Sequence, residues 1–97
     1  LGSPNPEQLG EVMVFDAGNG GQLNVFSNHR GYVHGLAFSP DSKRIASAGQ
    51  DIVRVWTVEK GRELFSLPVG FKPNNVAFHP DGKRLAVAGD SYPYKDY

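Results

Sequence analysis

The sequence contains no cysteine, and its ten Lys and Arg residues are balanced by ten Asp and Glu residues. Without cysteine there is no disulfide, no thiolate metal site and no cysteine nucleophile. Without a charge excess there is no electrostatic footprint for nucleic acid or an anionic membrane. No apolar run approaches the roughly 20 residues of a membrane-spanning helix, and no signal peptide is visible. We therefore expect neither nucleic acid nor membrane as a partner, and a cytoplasmic location is favoured.

A helical pattern is also missing, because few stretches hold a 3.6-residue apolar period and Gly or Pro recurs every several residues. The sequence carries a repeat instead. Residues 36–46, LAFSPDSKRIA, match residues 76–86, VAFHPDGKRLA, at an offset of 40. Residues 12–16 match residues 53–57 at an offset of 41. A repeat of about 40 residues is the period of one four-stranded β-propeller blade.

Each repeat unit is predicted to contain four short strands, a to d, joined by tight turns. The chain order is c and d (residues 11–31), then a to d (32–68), then a and b (69–90), with 1–10 and 91–97 as loop segments. Strand a of the complete blade is expected from Tyr32 to Ser39. The predicted fold is all-β: a single propeller fragment, 1–97, of four-stranded antiparallel blades, with one complete blade between two half-blades. Propellers run about four to eight blades, so other copies or other chains are expected to complete the ring at the bare strand edges.

The middle repeat resembles the WD-repeat (WD40) family, whose repeats open with Gly-His, pass through a Phe-Ser-Pro-Asp-Gly turn and end in Trp-Asp. This chain has His29 after Asn28, the turn FSPDS at 38–42, and Thr57 after Trp56. The resemblance implies a structural hydrogen-bonded set of four side chains: His29, Ser47, Asp51 and Trp56. Such a set would supply the partners that a buried indole and a buried imidazole need. Asp51 stands one residue closer to Trp56 than the family spacing.

His29, Ser47 and Asp51 are also the residue types of a hydrolase triad, which needs an exposed nucleophile beside its base. The structural interpretation is favoured, so no catalytic residue, no metal-ligating residue and no cofactor is predicted. Gly18-Asn19-Gly20-Gly21 lies between two strands and is predicted to be a hairpin turn. Lys43-Arg44 and Lys83-Arg84 recur at the start of strand b, where solvated turn charges are expected.

Two groups of residues are candidates for binding a partner, because exposed loops on a rigid scaffold carry most binding sites and aromatic residues are enriched at interfaces. The first is the tyrosine-rich loop that follows strand b. It contains Tyr92, Tyr94, Lys95 and Tyr97. The second lies at the start of strand a and consists of Arg30, Tyr32 and His34.

The function predicted is a non-catalytic protein-interaction scaffold whose partners are proteins, including the chains that complete the ring. Two alternatives stay open, because fold alone does not decide function. One is a propeller enzyme of lactonase or hydrolase type, in which Asn74 and Asn75 would serve a metal site shared with other blades. The other is an excised or engineered fragment that only self-assembles.

Overall fold

The structure, a computed structural model, describes residues 9–90 without the side chains of Leu9 and Asn28. Within that range the chain forms eight β-strands and no helix. The strands are β1 (Leu9–Phe15), β2 (Gln22–Arg30), β3 (Gly35–Phe38), β4 (Arg44–Ala48), β5 (Ile52–Thr57), β6 (Glu63–Pro68), β7 (Lys72–Phe78) and β8 (Leu85–Asp90).

These strands form three antiparallel sheets: the hairpin β1–β2, the four-stranded sheet β3–β4–β5–β6, and the hairpin β7–β8. The order along the chain is therefore c–d, a–b–c–d and a–b. This order confirms the all-β fold and the strand arrangement that the repeat predicts.

Two strand starts differ from the expected ones. β1 begins at Leu9, so residues 9–10 belong to the first hairpin and not to a loop, because they pair with His29 and Arg30 of β2. β3 begins at Gly35 and not at Tyr32. Gly31 takes a left-handed φ of 72° at the end of β2, and residues 32–34 then carry the chain from one sheet to the next.

The turn between β3 and β4 and the turn between β7 and β8 are built alike. In the first, the Ser42 amide donates to the Ser39 carbonyl oxygen (2.9 Å) and the Lys43 amide donates to Asp41 Oδ1 (2.9 Å). The second turn repeats both bonds 40 residues later, at 2.8 Å each. The Ser39 hydroxyl and the Lys43 amide also hold the pKa of Asp41 below its usual value. Ser42 and its equivalent Gly82 both have left-handed φ angles, 64° and 72°.

The four-stranded sheet is buried on both faces, because successive side chains of a strand point to opposite faces. One face packs against the N-terminal hairpin in a cluster of Val12, Val14, Phe26, Ile45 and Trp56. The other packs against the C-terminal hairpin in a cluster of Ala46, Ala48, Val53, Val55 and Val76. β4 and β5 contribute to both clusters, so the middle sheet is the core of the described residues.

Large apolar side chains remain exposed where each hairpin stops short of a full blade. Leu36 and Phe38 of β3 are 51% and 53% exposed, on the face turned to the N-terminal hairpin. Phe65 and Leu67 of β6 are 44% and 38% exposed, on the opposite face. Within residues 9–90, the N-terminal hairpin has no strands a and b to cover β3, and the C-terminal hairpin has no strands c and d to cover β6.

Candidate functional site

The buried polar centre of the molecule joins the N-terminal hairpin to the middle sheet. His29 of β2 reaches across to Ser47 of β4, with 2.5 Å between Nε2 and Oγ. The Trp56 indole Nε1 of β5 donates to the same oxygen at 2.9 Å. All three residues are buried. The indole also stacks on the ring of Phe26, with the ring centroids 4.7 Å apart and the planes 9° from parallel.

Burial controls the protonation of His29. Removal from water lowers the pKa of its imidazole, and the nearby Arg54 guanidinium lowers it further. Within the described residues, Nδ1 is buried and has no hydrogen-bond partner. The backbone of Gly49 lies against this atom, since a Cβ at that position would overlap it. The imidazole is therefore neutral near pH 7, held by Ser47 on one side and closely packed on the other.

Asp51 does not join this set, contrary to the expectation from the family resemblance. It occupies the β4–β5 turn with a left-handed φ of 64°, and its side chain is exposed. Its carbonyl oxygen accepts the Val69 amide at 2.9 Å, which ties the turn to the end of β6. The family spacing falls one residue earlier, on Gln50, whose side chain lies over Gly31.

Arg54 and Glu63 form an ion pair that the sequence analysis did not anticipate. Arg54 Nη1 lies 2.9 Å from both carboxylate oxygens of Glu63, and both side chains are about three-quarters buried. The pair joins β5 to β6 on the same sheet face as Ser47 and Trp56, because Glu63 pairs with Trp56 and side chains alternate. The sequence shows only that an arginine and a glutamate stand in neighbouring predicted strands.

Ser47 and His29 are in contact as a nucleophile and its base would be, but among residues 9–90 no carboxylate bonds the other imidazole nitrogen, and both side chains are buried. The Ser47 hydroxyl is buried and already contacts both the indole and the imidazole. Residues 9–90 contain no group of three His, Cys, Asp or Glu side chains that could hold a metal ion. Asn74 and Asn75 lie on β7 and are exposed. The same residues include no helix long and apolar enough to cross a membrane.

The second predicted group lies where the chain passes from one sheet to the next. Arg30, Tyr32 and His34 are all exposed, and Tyr32 is 76% exposed. The rings of Tyr32 and His34 lie side by side, 6.1 Å between centroids at an angle of 58°. Because strands alternate in direction, the connections after β2, β4 and β6 share one end of the sheets. The first predicted group, Tyr92, Tyr94, Lys95 and Tyr97, lies outside the described residues.

The turns at the opposite end carry the basic residues, and two of the arginines there are engaged. Arg44 Nη2 donates to the Gly82 carbonyl oxygen at 2.7 Å, and its guanidinium lies 5.4 Å from the centre of the Phe78 ring. Arg84 Nη2 lies 3.0 Å from Asp81 Oδ2. Arg44 thus joins the middle sheet to the C-terminal hairpin, whereas Arg84 is held within its own turn.

A groove between the β3–β4 turn and the β5–β6 turn was missed by the sequence analysis. We call it the basic groove; it has a volume of about 460 Å³, and its lining includes Lys43, Thr57, Val58, Lys60, Arg62 and Leu64. Asn24 of β2 fixes its far wall, donating through Nδ2 to the Val58 and Glu59 carbonyl oxygens at 2.5 and 3.0 Å. In the sequence, only the charged run EKGR at 59–62 indicates this groove.

The sheets, the repeat and the buried His–Ser–Trp set agree with a comparison against known families. A family model described as "WD domain, G-beta repeat" matches residues 20–57 and 68–92, together more than half of the chain. The chain belongs to the WD40 family. The first matched segment runs from β2, which supplies His29, through β5, and the second contains the C-terminal hairpin β7–β8.

The WD40 relatives are long proteins of which this chain spans a small part. Ribosome biogenesis protein erb1 of Aspergillus niger is 39% identical over 75 residues, which cover 75% of this chain and 9% of erb1. Autophagy-related protein 18 of Meyerozyma guilliermondii is 30% identical over 73 residues, 73% of this chain and 13% of that protein. The Arabidopsis thaliana transcriptional corepressor LEUNIG_HOMOLOG is 34% identical over 51 residues, 52% of this chain and 6% of that protein.

A solved structure shows the same fold. The β-propeller domain of Myceliophteria thermophila Cps50 (Swd1) superposes with a TM-score of 0.73 at 20% identity, covering 80% of this chain and 26% of that one. The three sheets of this WD40 chain are therefore neighbouring parts of a propeller: one complete blade between the c–d half of one blade and the a–b half of another.

Proposed function

We propose that this WD40 chain is a two-blade segment of a protein-interaction scaffold and that it binds rather than catalyses. The observation that carries the proposal is the exposed pair Tyr32 and His34, with rings 6.1 Å apart, on a connection that starts from the buried centre. Tyrosine supplies contact area with a polar tip. His29, three residues before Tyr32, anchors this connection through Ser47, so the exposed pair is presented by a rigid element.

The scaffold proposal favours a protein partner over a substrate. Arg30, Tyr32 and His34 combine a cation, an aromatic ring and an imidazole on one surface, which is the composition of an interface centre. The alternative of a metal-dependent propeller enzyme would need ligands gathered at one point. Asn74 and Asn75 come from strand β7 and bring with them no cluster of His, Asp or Glu among residues 9–90.

The scaffold proposal is tested by affinity enrichment with the full-length protein, followed by titration of the enriched partner. Tyr32→Ala is expected to weaken binding by about 2 kcal/mol, as for an interface anchor, and to leave unfolding unchanged within about 0.5 kcal/mol. Lys83→Ala, an exposed change at the opposite end, serves as the control. Equal partner binding by Tyr32→Ala and by the unchanged protein would remove this surface from the proposal.

We also propose that further WD40 blades complete the two hairpins. The support is the exposure of Leu36 and Phe38 on one face of the middle sheet and of Phe65 and Leu67 on the other. These side chains lie where a complete neighbouring blade would cover them. β1 and β8 also each have a single strand partner among residues 9–90, which leaves one edge of each available for pairing.

A further inference from the structure

We propose that the basic groove, at the end of the blade opposite Tyr32, binds an acidic segment of a partner protein that carries an apolar side chain. This is a second interaction surface, separate from the one proposed above. The groove is built from residues 42–64 alone. Its walls therefore do not depend on the strands that complete the neighbouring blades.

Three cations surround the groove. Lys43 comes from the β3–β4 turn, and Lys60 and Arg62 come from the β5–β6 turn; all three are exposed. Glu59 is the single carboxylate in the lining. None of the three cations takes part in an ion pair among residues 9–90, where Arg54 pairs with Glu63 and Arg84 with Asp81. The groove thus concentrates positive charge on a chain whose formal net charge is zero.

The floor of the groove is apolar. Val58 and Leu64 lie in it, and Leu64 remains 46% exposed. A volume of about 460 Å³ falls in the range of about 300–1,000 Å³ typical of binding clefts. An apolar floor under a cationic rim complements a segment in which acidic residues flank a leucine or a similar side chain.

The groove is held in shape before any ligand binds. The Val58 amide donates to the Lys43 carbonyl oxygen at 2.9 Å, which joins its two turns. The Arg62 amide donates to Thr57 Oγ1 at 3.1 Å, and Asn24 fixes the outer side of the β5–β6 turn. A preformed cleft loses little conformational freedom on binding, which favours affinity.

An acidic protein segment fits these residues better than a nucleic acid or a lipid surface. Binding of single-stranded nucleic acid uses aromatic stacking platforms, and the groove lining contains no aromatic residue. In the neighbouring turn Arg84 is paired with Asp81, which offsets part of the positive charge there. Glu59 in the lining repels a ligand with closely spaced phosphates. A peptide can instead place its few carboxylates beside Lys60 and Arg62, away from Glu59.

The test is fluorescence anisotropy with the full-length protein and a short labelled peptide in which glutamates flank a leucine. The double variant Lys60→Glu, Arg62→Glu is expected to weaken binding at least about tenfold, because each substitution places like charges together. Lys83→Glu, at the turn position equivalent to Lys43, is expected to change the affinity for the peptide less than about twofold. Replacing the peptide glutamates by glutamine, or its leucine by serine, should also weaken binding.

Several outcomes would overturn the proposal. One is that the double variant binds the peptide as tightly as the unchanged protein. Another is that Lys83→Glu weakens binding as much as the double variant does. A third is that the glutamine peptide binds as tightly as the glutamate peptide. Tighter binding of duplex DNA or of anionic phospholipid vesicles than of the peptide would assign the groove to those ligands instead. Tyr32→Ala should leave peptide binding unchanged, so failure of the groove and failure of the Tyr32 surface are told apart.

Discussion

At the scale of single residues, Trp56 combines two stabilising roles. Its ring stacks on Phe26 across the boundary between two sheets, and its indole nitrogen donates to Ser47. We expect Trp56→Ala to lower the free energy of unfolding by about 3–5 kcal/mol, because it leaves a large cavity between the sheets. Urea unfolding of the full-length protein, followed by circular dichroism, measures this loss.

Trp56→Phe separates the two roles of the indole. It keeps an aromatic ring beside Phe26 and removes the donor to Ser47, so we expect a smaller loss of about 1–2 kcal/mol. Tyr32→Ala, at an exposed position, is the control and should stay within about 0.5 kcal/mol of the parent. If Trp56→Ala unfolded at the same urea concentration as the unchanged protein, the assignment of the indole to the core would be contradicted.

His29 makes stability depend on pH in a defined direction. Burial lowers the pKa of its imidazole below the usual 6.5, so the unfolded chain takes up the proton first. The stability that the neutral imidazole contributes is therefore complete above about pH 6.5 and is lost as the pH falls towards the lower folded-state pKa. The pKa values of Asp41 and Asp81 are lowered from 3.8, so these two carboxyl groups do not titrate in this pH range.

Urea unfolding between about pH 7.5 and about pH 5 measures the effect. The parent is expected to lose stability across that range, and His29→Gln is expected to lower stability throughout and flatten the dependence. His34→Gln, at an exposed position, should keep the dependence of the parent. A His29→Gln variant with the same slope as the parent would place the titrating group elsewhere.

The sequence could predict three members of the buried set, because His29, Ser47 and Trp56 fall at family positions on strands, where alternation fixes which face a side chain takes. Asp51 could not be assigned from its residue type. A left-handed residue in a tight turn directs its side chain by the turn geometry and not by strand alternation, and the structure leaves Asp51 exposed. The ion pair of Arg54 with Glu63 depends on the register of β5 and β6, including a bulge beside Val55 that no spacing in the sequence reveals.

At the scale of elements, the two similar turns provide an internal comparison. Ser42 and Gly82 occupy the same place with φ angles of 64° and 72°. A residue with a Cβ pays for the left-handed conformation, whereas glycine adopts it freely. We expect Ser42→Gly to raise the free energy of unfolding by about 0.5–1 kcal/mol and Gly82→Ser to lower it by a similar amount. Urea unfolding of both variants in the full-length protein measures the pair.

Steric crowding does not complicate this comparison. A Cβ at Gly82 would lie 3.5 Å from Arg44 Nη2 and 3.8 Å from Pro40 Cδ, which are ordinary contacts. Ser42→Ala, which keeps the Cβ and removes the hydroxyl, is the matched control and should not stabilise the protein. A gain in Ser42→Ala equal to that in Ser42→Gly would mean that the hydroxyl, not the backbone angle, determines the cost.

The repeat predicts which elements exist better than it predicts where they begin. The eight strands and their order follow from two registers of about 40 residues, because each copy must fold as the other does. The starts of β1 and β3 do not follow. Leu9 extends β1 through pairing with Arg30, a contact between segments that the repeat leaves unmatched, and β3 is shortened by the connection that begins at Gly31.

At the scale of the whole molecule, the uncovered faces determine what the chain needs in order to be stable. Phe65 and Leu67 on β6 lie beside Phe78 and Leu85 of the C-terminal hairpin, around a cleft of about 280 Å³. The missing strands c and d of that hairpin's blade would occupy this space. The strands c and d that the structure describes, β1 and β2, carry apolar side chains on their outward face, including Met13 and Val25, which pair across the hairpin.

Phe65→Glu in the full-length protein tests this completion. If a further blade covers Phe65, the variant buries a charge in an apolar interface and loses at least about 3 kcal/mol of stability, or dissociates. Thermal unfolding and sedimentation velocity measure the two consequences. Tyr32→Glu introduces the same charge at a side chain on a connection, and we expect it to change neither. If Phe65→Glu melts and sediments like the parent, β6 faces solvent in the assembled protein. Its apolar side chains would then form a surface for a partner other than a blade, because a patch of this kind rarely stays uncovered.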